Sequence, residues 1–189
     1  MGKLEYAGDM IKFLQEYYGD RPLVGAEIGV LNGDHALRLL QTLEIKTLYL
    51  IDPYKDYPEY HDHNSGSLEK ALETAKCKLA DYKEQIDWLR FQSDVARQFI
   101  NPPLDFLYID GNHSKLYVHN DLWNYLPYIA DLGVIGGHDY YTRKDADNLC
   151  EVQEVVDDFS KHFDVPFFLD SSYEYDWPDW WFIKSCAWG

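Results

Sequence analysis

Five short apolar runs constrain this chain more than any other feature: LVGAEIGV (23–30), TLYLIDP (47–53), IDWLRFQS (86–93), LDFLYID (104–110) and LGVIGG (132–137). Each is strand-like in length, and helix-length sequence lies between them. Met10, Phe13, Leu14 and Tyr17 recur at helical spacing before Gly19. A helix is expected over about 34–44, and Leu68, Ala71, Leu72, Ala75 and Leu79 mark another. Shorter or later helices are expected from Asp94 to Ile100, from Leu116 to Tyr128, and along Leu149, Val152, Val156, Phe159 and Phe163. Strands separated by helices cannot close as hairpins; they lie side by side in parallel, with helices on both faces. Strands covered on both faces should be continuous apolar runs, and the central ones here are. The expected fold class is therefore α/β, a doubly wound and mainly parallel sheet. VPFFLD (165–170) and DWWFIKS (179–185) follow as a terminal hairpin, with Trp177, Trp180 and Trp181 in its core.

The 189 residues suit a single domain over 1–189, with no repeat, low-complexity tract or linker-like shift in composition. The 17 basic and 33 acidic residues give a formal charge of −16. Such a surface repels phosphate backbones and anionic lipid, so neither nucleic acid nor membrane is an expected partner. No apolar run is long enough to span a bilayer, and MGKLEYAGDMIKFLQEYY lacks the apolar stretch of a signal peptide. Cys77, Cys150 and Cys186 are odd in number and widely spaced. They read as reduced thiols, and a cytoplasmic location is expected.

In open parallel sheets, ligands bind beyond the carboxyl ends of the strands. What each run ends in is therefore the functional question. The first ends Glu27-Ile28-Gly29, with Gly33 following; the second ends in Asp52; the third ends Ser93-Asp94. The fourth ends Asp110-Gly111-Asn112-His113, and the fifth ends Gly136-Gly137-His138-Asp139. Each residue alone has a plain structural use. A glycine can ease a bend, Asp94 can cap a helix, and His61 and His63 sit in a polar loop. Five acidic strand ends on one edge demand that explanation five times over, and a binding edge explains them together.

A glycine turn lets backbone approach a ligand, and an acid some 20 residues later can accept ribose hydroxyls. Glu27, Gly29 and Asp52 meet that spacing, but Glu-x-Gly-x-x-x-Gly is not the dinucleotide pattern. Asp34 at the helix start would repel a pyrophosphate. An acid-rich cleft instead suits the sulfonium and ammonium groups of S-adenosylmethionine. The polar aromatic stretch 54–66, with Tyr54, Tyr57, Pro58 and Tyr60, has the length of a lid over an acceptor.

Together AEIGVLNGDHALRLL, LYLIDPY, FQSDV and LDFLYIDGNHSKLYVHNDLWNYLPYIADLGVIGGHDY resemble a class I S-adenosylmethionine-dependent methyltransferase. The resemblance is nearest to the small metal-dependent O-methyltransferases related to macrocin and mycinamicin sugar methyltransferases, and it spans about residues 23–140. It implies a Rossmann-like sheet of seven strands whose last strand is antiparallel. It also implies methyl transfer from S-adenosylmethionine to a hydroxyl of a small molecule. Glu27 and Gly29 would lie at the methionine part, Asp52 at the ribose, and Ser93 and Asp94 at the adenine, with Gly33 also among the cofactor-binding residues. Asp110 would face the methyl group and, with His138 and Asp139, hold a divalent metal, magnesium or manganese, with His113 as general base. His138 departs from an all-oxygen set, since imidazole is a softer ligand. A metal-dependent hydrolase or hydroxylase, and a catalytically silent cofactor-binding protein, stay open on the same fold; so does a homo-oligomer.

Overall fold

The computed structural model describes residues 2–55, 65–101, 103–145, 148–172 and 177–188. The strands are β1 (Lys3–Tyr6), β2 (Leu23–Ile28), β3 (Ile45–Ile51), β4 (Ile86–Leu89), β5 (Leu104–Ile109), β6 (Ile129–Gly137), β7 (Arg143–Asp145), β8 (Asn148–Cys150), β9 (Phe167–Asp170) and β10 (Trp180–Ile183). The helices are α1 (Met10–Tyr18), α2 (Asp34–Thr42), α3 (Ser65–Lys78), α4 (Ser93–Ala96), α5 (Lys115–Tyr125) and α6 (Val152–Phe163). Eight strands form one sheet in the order β1-β9-β10-β6-β5-β2-β3-β4, and β7 and β8 pair separately. The run β6-β5-β2-β3-β4 is parallel throughout. β10 is antiparallel to both β6 and β9.

The mainly parallel doubly wound sheet and its antiparallel last strand are as expected, but the sheet has eight strands, not seven. The eighth, β1, pairs in parallel with β9 from Lys3↔Phe167 to Tyr6↔Asp170. Its KLEY sequence is too short and too exposed to show a strand pattern. The last apolar helix also starts later than its spacing suggests. Leu149 belongs to β8 and is 37 % exposed, and α6 begins at Val152. Within the terminal hairpin Trp180 and Trp181 are fully buried, whereas Trp177 is 50 % exposed and lies outside the core.

Two apolar layers sandwich the sheet. One packs α5 and α6 through Val118, Leu122, Val156 and Phe159. The other packs α1, α2 and α3 through Phe13, Leu39 and Leu72. Capping sets where the helices begin: Asp9 accepts the Lys12 N–H at 2.9 Å, and Glu151 reaches across to accept the Lys115 N–H at 2.9 Å. These layers fix the strand ends at one level, because Ile28 registers with Ile51 and Ile109, and Ile109 with Gly137. The ladder continues one step further, where Gly29 donates to Ile51 O, Asp110 to Ile28 O and His138 to Ile109 O. The acids beyond these points therefore emerge side by side. Strand order reverses between β2 and β5, the place where a parallel sheet splays its connections and leaves a crevice.

Candidate active site

A cavity of about 410 Å³ opens at that crevice. Following the sheet edge, its walls include Asp110 and His113 after β5, Glu27 on β2 and Gly29 just after it, Asp52 after β3, and Ser93 at the start of α4. Its size lies within the usual range for small-molecule sites. Gly29 makes the crevice possible: at φ +87° its α-carbon is so close to the neighbouring strand that a Cβ would lie 2.0 Å from Asp110 O.

Glu27 is 1 % exposed. Among the described residues its Oε2 has no hydrogen-bond partner, and His35 Nδ1 lies 3.5 Å away. His35 stacks on Tyr108 at 3.7 Å between ring centroids. Burial raises the Glu27 pKa against the opposing pull of His35. Burial lowers that of His35, but Glu27 outweighs it and the net shift is upward. Beneath them Tyr108 donates to Asp179 Oδ1 at 2.9 Å, and the Met10 N–H donates to Asp179 Oδ2 at 2.9 Å.

Asp52 is already engaged. Its Oδ2 accepts the N–H groups of Val30 and Leu31 at 3.0 and 3.1 Å, and its Oδ1 accepts that of Tyr54 at 2.7 Å. It thus ties the turn after β2 to the turn after β3. Of about four acceptor positions on a carboxylate, this leaves one toward the cavity. Tyr54 is buried, and its hydroxyl donates to Leu31 O at 2.9 Å. The rest of the expected lid, including Tyr57, Pro58, Tyr60, His61 and His63, lies outside the described residues.

Asp110, His113 and Asp139 converge. His113 Nε2 lies 3.3 Å from Asp110 Oδ1 and 3.1 Å from Asp139 Oδ2. One ligand atom from each lies within 4.8 Å of the others. Burial alone would lower the His113 pKa, but the hydrogen bond to Asp110 and the charges of both carboxylates raise it. His138 stands outside this trio, with Nδ1 3.0 Å from Asp139 Oδ1. Burial opposes its protonation, yet Asp139 and Asp110 push its pKa up to about 9. Asp139 adopts a left-handed φ of +60°. That conformation is uncommon outside glycine and tends to collect at functional sites.

Two expected contacts fall elsewhere. Gly33, at φ +72°, caps the start of α2, and a Cβ there would meet Ala75 of α3 and Leu79 just after it at 3.2 Å; it serves helix packing. Asp94 is exposed and does not line the cavity. The carboxyl that does stand beside Ser93 is Asp121 of α5, which accepts the Ser93 hydroxyl. Asp121 sits on the buried face of α5 with Val118, Leu122 and Tyr125. A carboxylate within an apolar helical stripe is the signal that could have found it. His35 and Asp179 carry no comparable sequence signal.

Burial pushes the Asp121 pKa from 3.8 to about 7, against the lowering effect of the Ser93 hydroxyl. An acid whose pKa is higher in the folded state binds more protons folded than unfolded between those two values. Stability therefore falls as pH rises from about 4 to about 7 and is flat above. Asp121→Asn should remove about 2–4 kcal/mol of that pH-dependent loss. Urea unfolding at several pH values tests this; a variant with the parental slope would contradict it.

A sequence family described as a methyltransferase domain matches residues 26–140. A search among curated proteins finds no match. Solved structures share the architecture at low identity. An rRNA methylase from Streptococcus thermophilus aligns at 12 % identity and TM-score 0.63, covering 93 % of each chain. An O-methyltransferase from Bacillus cereus, in complex with SAH, aligns at 18 % and 0.62, covering 92 % of this chain and 79 % of that one. The N-methyltransferase NodS from Bradyrhizobium japonicum, in complex with S-adenosyl-L-homocysteine, aligns at 15 % and 0.61, covering 92 % and 83 %. At these identities the likeness shows the fold. Among the described residues no helix is long and apolar enough to cross a membrane.

Proposed function

This chain belongs to the methyltransferase domain family, and from that premise we propose that it transfers a methyl group from S-adenosylmethionine to a hydroxyl of a small molecule. The observation that carries this reading is the placement of His113 Nε2 between the carboxylates of Asp110 and Asp139, at the cavity. An amine can attack a sulfonium methyl through its free lone pair and lose its proton afterwards. An alcohol is a poor nucleophile until its proton is taken, so a carboxylate-backed imidazole points to oxygen. The formal charge of −16 argues against an RNA acceptor. Both points agree with the resemblance to small O-methyltransferases.

The cavity residues fit the cofactor. Glu27 offers a buried carboxylate whose Oε2 faces His35 at 3.5 Å but accepts no hydrogen bond among the described residues, so an ammonium group would find an acceptor there. The remaining acceptor position of Asp52 suits a ribose hydroxyl. When bound, S-adenosylmethionine supplies an electrophilic methyl group. In the protein's share of the reaction, His113 holds its Nε2–H toward Asp110 and Asp139 and takes the acceptor proton on its other ring nitrogen, Nδ1, while the two carboxylates stabilise the imidazolium. Asp110 also lends negative charge to the side of the cavity where the sulfonium would stand.

A second reading rests on the same trio. Separations of 3.1 and 3.3 Å from Nε2 to two carboxylate oxygens match neighbouring donors about 2.2 Å from a cation in an octahedral set. Asp110, His113 and Asp139 would then hold a divalent metal that lowers the acidity threshold of the acceptor hydroxyl. Asp139 would be fixed in turn by His138. Calorimetric titration with S-adenosylmethionine, with and without magnesium or manganese, tests both readings. No binding under any condition would remove the cofactor assignment. Turnover that survives a chelator favours His113 as the base, and turnover that requires added cation favours the metal.

Asp52→Ala should weaken S-adenosylhomocysteine binding by roughly 2–4 kcal/mol, because it removes a charged acceptor and releases the Val30 and Leu31 N–H groups. Unchanged affinity in the same titration would show that the ligand lies elsewhere.

A further inference from the structure

The Ser93–Asp121 pair is a buried polar device that proton transfer at His113 does not use. Asp121 is 3 % exposed, lines the cavity, and comes from α5, not from a strand end. Ser93 donates its hydroxyl to Asp121 Oδ1, while Ser93 O accepts the Tyr125 hydroxyl at 2.7 Å. Ser93 is thus clamped from both sides by α5, and its hydroxyl holds the carboxyl in one orientation. A clamped carboxyl in the wall of a ligand cavity costs desolvation that an apolar residue would not. It is worth that cost where its remaining oxygen meets a donor.

We infer that Asp121, oriented by Ser93, reads position 6 of the cofactor's purine, accepting an exocyclic amino group and rejecting a 6-oxo purine. This rests on the cavity being the S-adenosylmethionine site. Asp110 and Glu27 stand toward one end of the sheet edge and Ser93 toward the other, with Asp52 between. A ligand with its reactive group at Asp110 and a ribose at Asp52 therefore has its base at Ser93. A carboxylate has acceptors only. It pairs with a 6-amino group and faces a 6-carbonyl oxygen lone pair to lone pair. A site with fixed polarity rejects the mismatched analogue far more strongly than it rejects a change of size.

Protonation of the carboxyl changes what it can read. Below its pKa of about 7, Asp121 gains a donor and can satisfy a 6-carbonyl. The groups that bear on this titration are Ser93 and Asp94 on α4; on α5, Asp121 in turn raises the pKa of the Tyr125 hydroxyl, which Arg97 just after α4 lowers. Asp52 and Lys55 share the cavity wall. Burial is the largest influence, with Asp94 acting in the same direction.

The test is calorimetric binding of S-adenosylhomocysteine and of its 6-oxo counterpart, S-inosylhomocysteine, to the parent protein and to Asp121→Asn. At about pH 9 the parent should prefer the adenine ligand by roughly 100-fold, narrowing toward about 10-fold near pH 5 as the carboxyl protonates. Asparagine can turn to present either a carbonyl or an N–H. In Asp121→Asn the preference should therefore shrink to within about 3-fold and lose its pH dependence. A parent protein that binds both ligands equally would overturn the inference, as would an Asp121→Asn protein that keeps the parental preference. If Asp121→Asn does not fold, the parent's preference and its narrowing at acid pH decide alone. A parent that binds neither ligand removes the cofactor reading itself, an outcome distinct from equal binding.

Discussion

Alanine at His113 is expected to cut turnover on a hydroxyl acceptor by roughly 10²–10⁴, the usual worth of a positioned base, while S-adenosylhomocysteine affinity stays near the parental value. The separation follows from geometry: His113 Nε2 is engaged with Asp110 and Asp139, not with the Glu27 and Asp52 part of the cavity. The pH profile should move as well. His113 must be neutral to take a proton, and its pKa lies above the ordinary 6.5. Parental turnover should accordingly rise as pH passes through that raised value. The alanine variant should lose this step and recover part of its rate in alkali, where the acceptor ionises unaided. Single-turnover measurements across pH decide the matter. Near-parental turnover of the variant at neutral pH would remove His113 from the chemistry.

Gly29→Ala is expected to destabilise the fold by about 3–5 kcal/mol, at the upper end for single substitutions. Two penalties combine. The φ of +87° disfavours any side chain, and the new Cβ would lie 2.0 Å from Asp110 O, a backbone atom that cannot move without breaking the β2–β5 ladder. Gly137, whose Cβ would fall 2.0 Å from Ile109 O, carries the same steric penalty on the other side of β5. Denaturant unfolding of Gly29→Ala checks the figure. A loss below about 1 kcal/mol would mean that the strand ends separate readily, and the cavity would then not be preformed.

The parallel half of the sheet was legible because its central strands β2 and β5 and the later parts of β3 and β6 are buried on both faces and so leave nearly continuous apolar runs. The acidic edge was legible for a related reason: a carboxylate at the end of such a run must either emerge from the core, as Asp110 does, or be buried beside a polar partner, as Glu27 is beside His35. β1 was not legible, since Lys3–Tyr6 is held by pairing with β9 and is mostly exposed. The same limit governed the site. Glu27, Asp52, Asp110 and His113 follow their strands in sequence and could be placed on one edge by counting. Asp121 reaches the cavity only because α5 packs against α4, and Asp94, one residue from Ser93, turns outward. Which of two neighbouring acids faces inward is settled by helix packing, and packing partners distant in sequence leave no local signature. The sequence likewise could not say which of His113 and His138, both following strand ends, lies between Asp110 and Asp139; the structure places His113 there and His138 beside Asp139.

The position of β10 bears on the order in which this chain can be assembled during synthesis. β10 lies between β6 and β9, and β9 in turn carries β1. Residues 23–137 can close their parallel ladder as soon as they leave the ribosome, and they hold nearly every wall of the cavity. Residues 3–6, translated before all of these, have no partner in the sheet until 180–183 arrive. The earliest strand made is thus among the last to be fastened, and both outer strands hang on a four-residue hinge-pin. Nascent chains arrested before residue 180 should bind S-adenosylhomocysteine while the amides of residues 3–6 still exchange freely with solvent. Protection of those amides before β10 is made would show that β1 and β9 can pair without it.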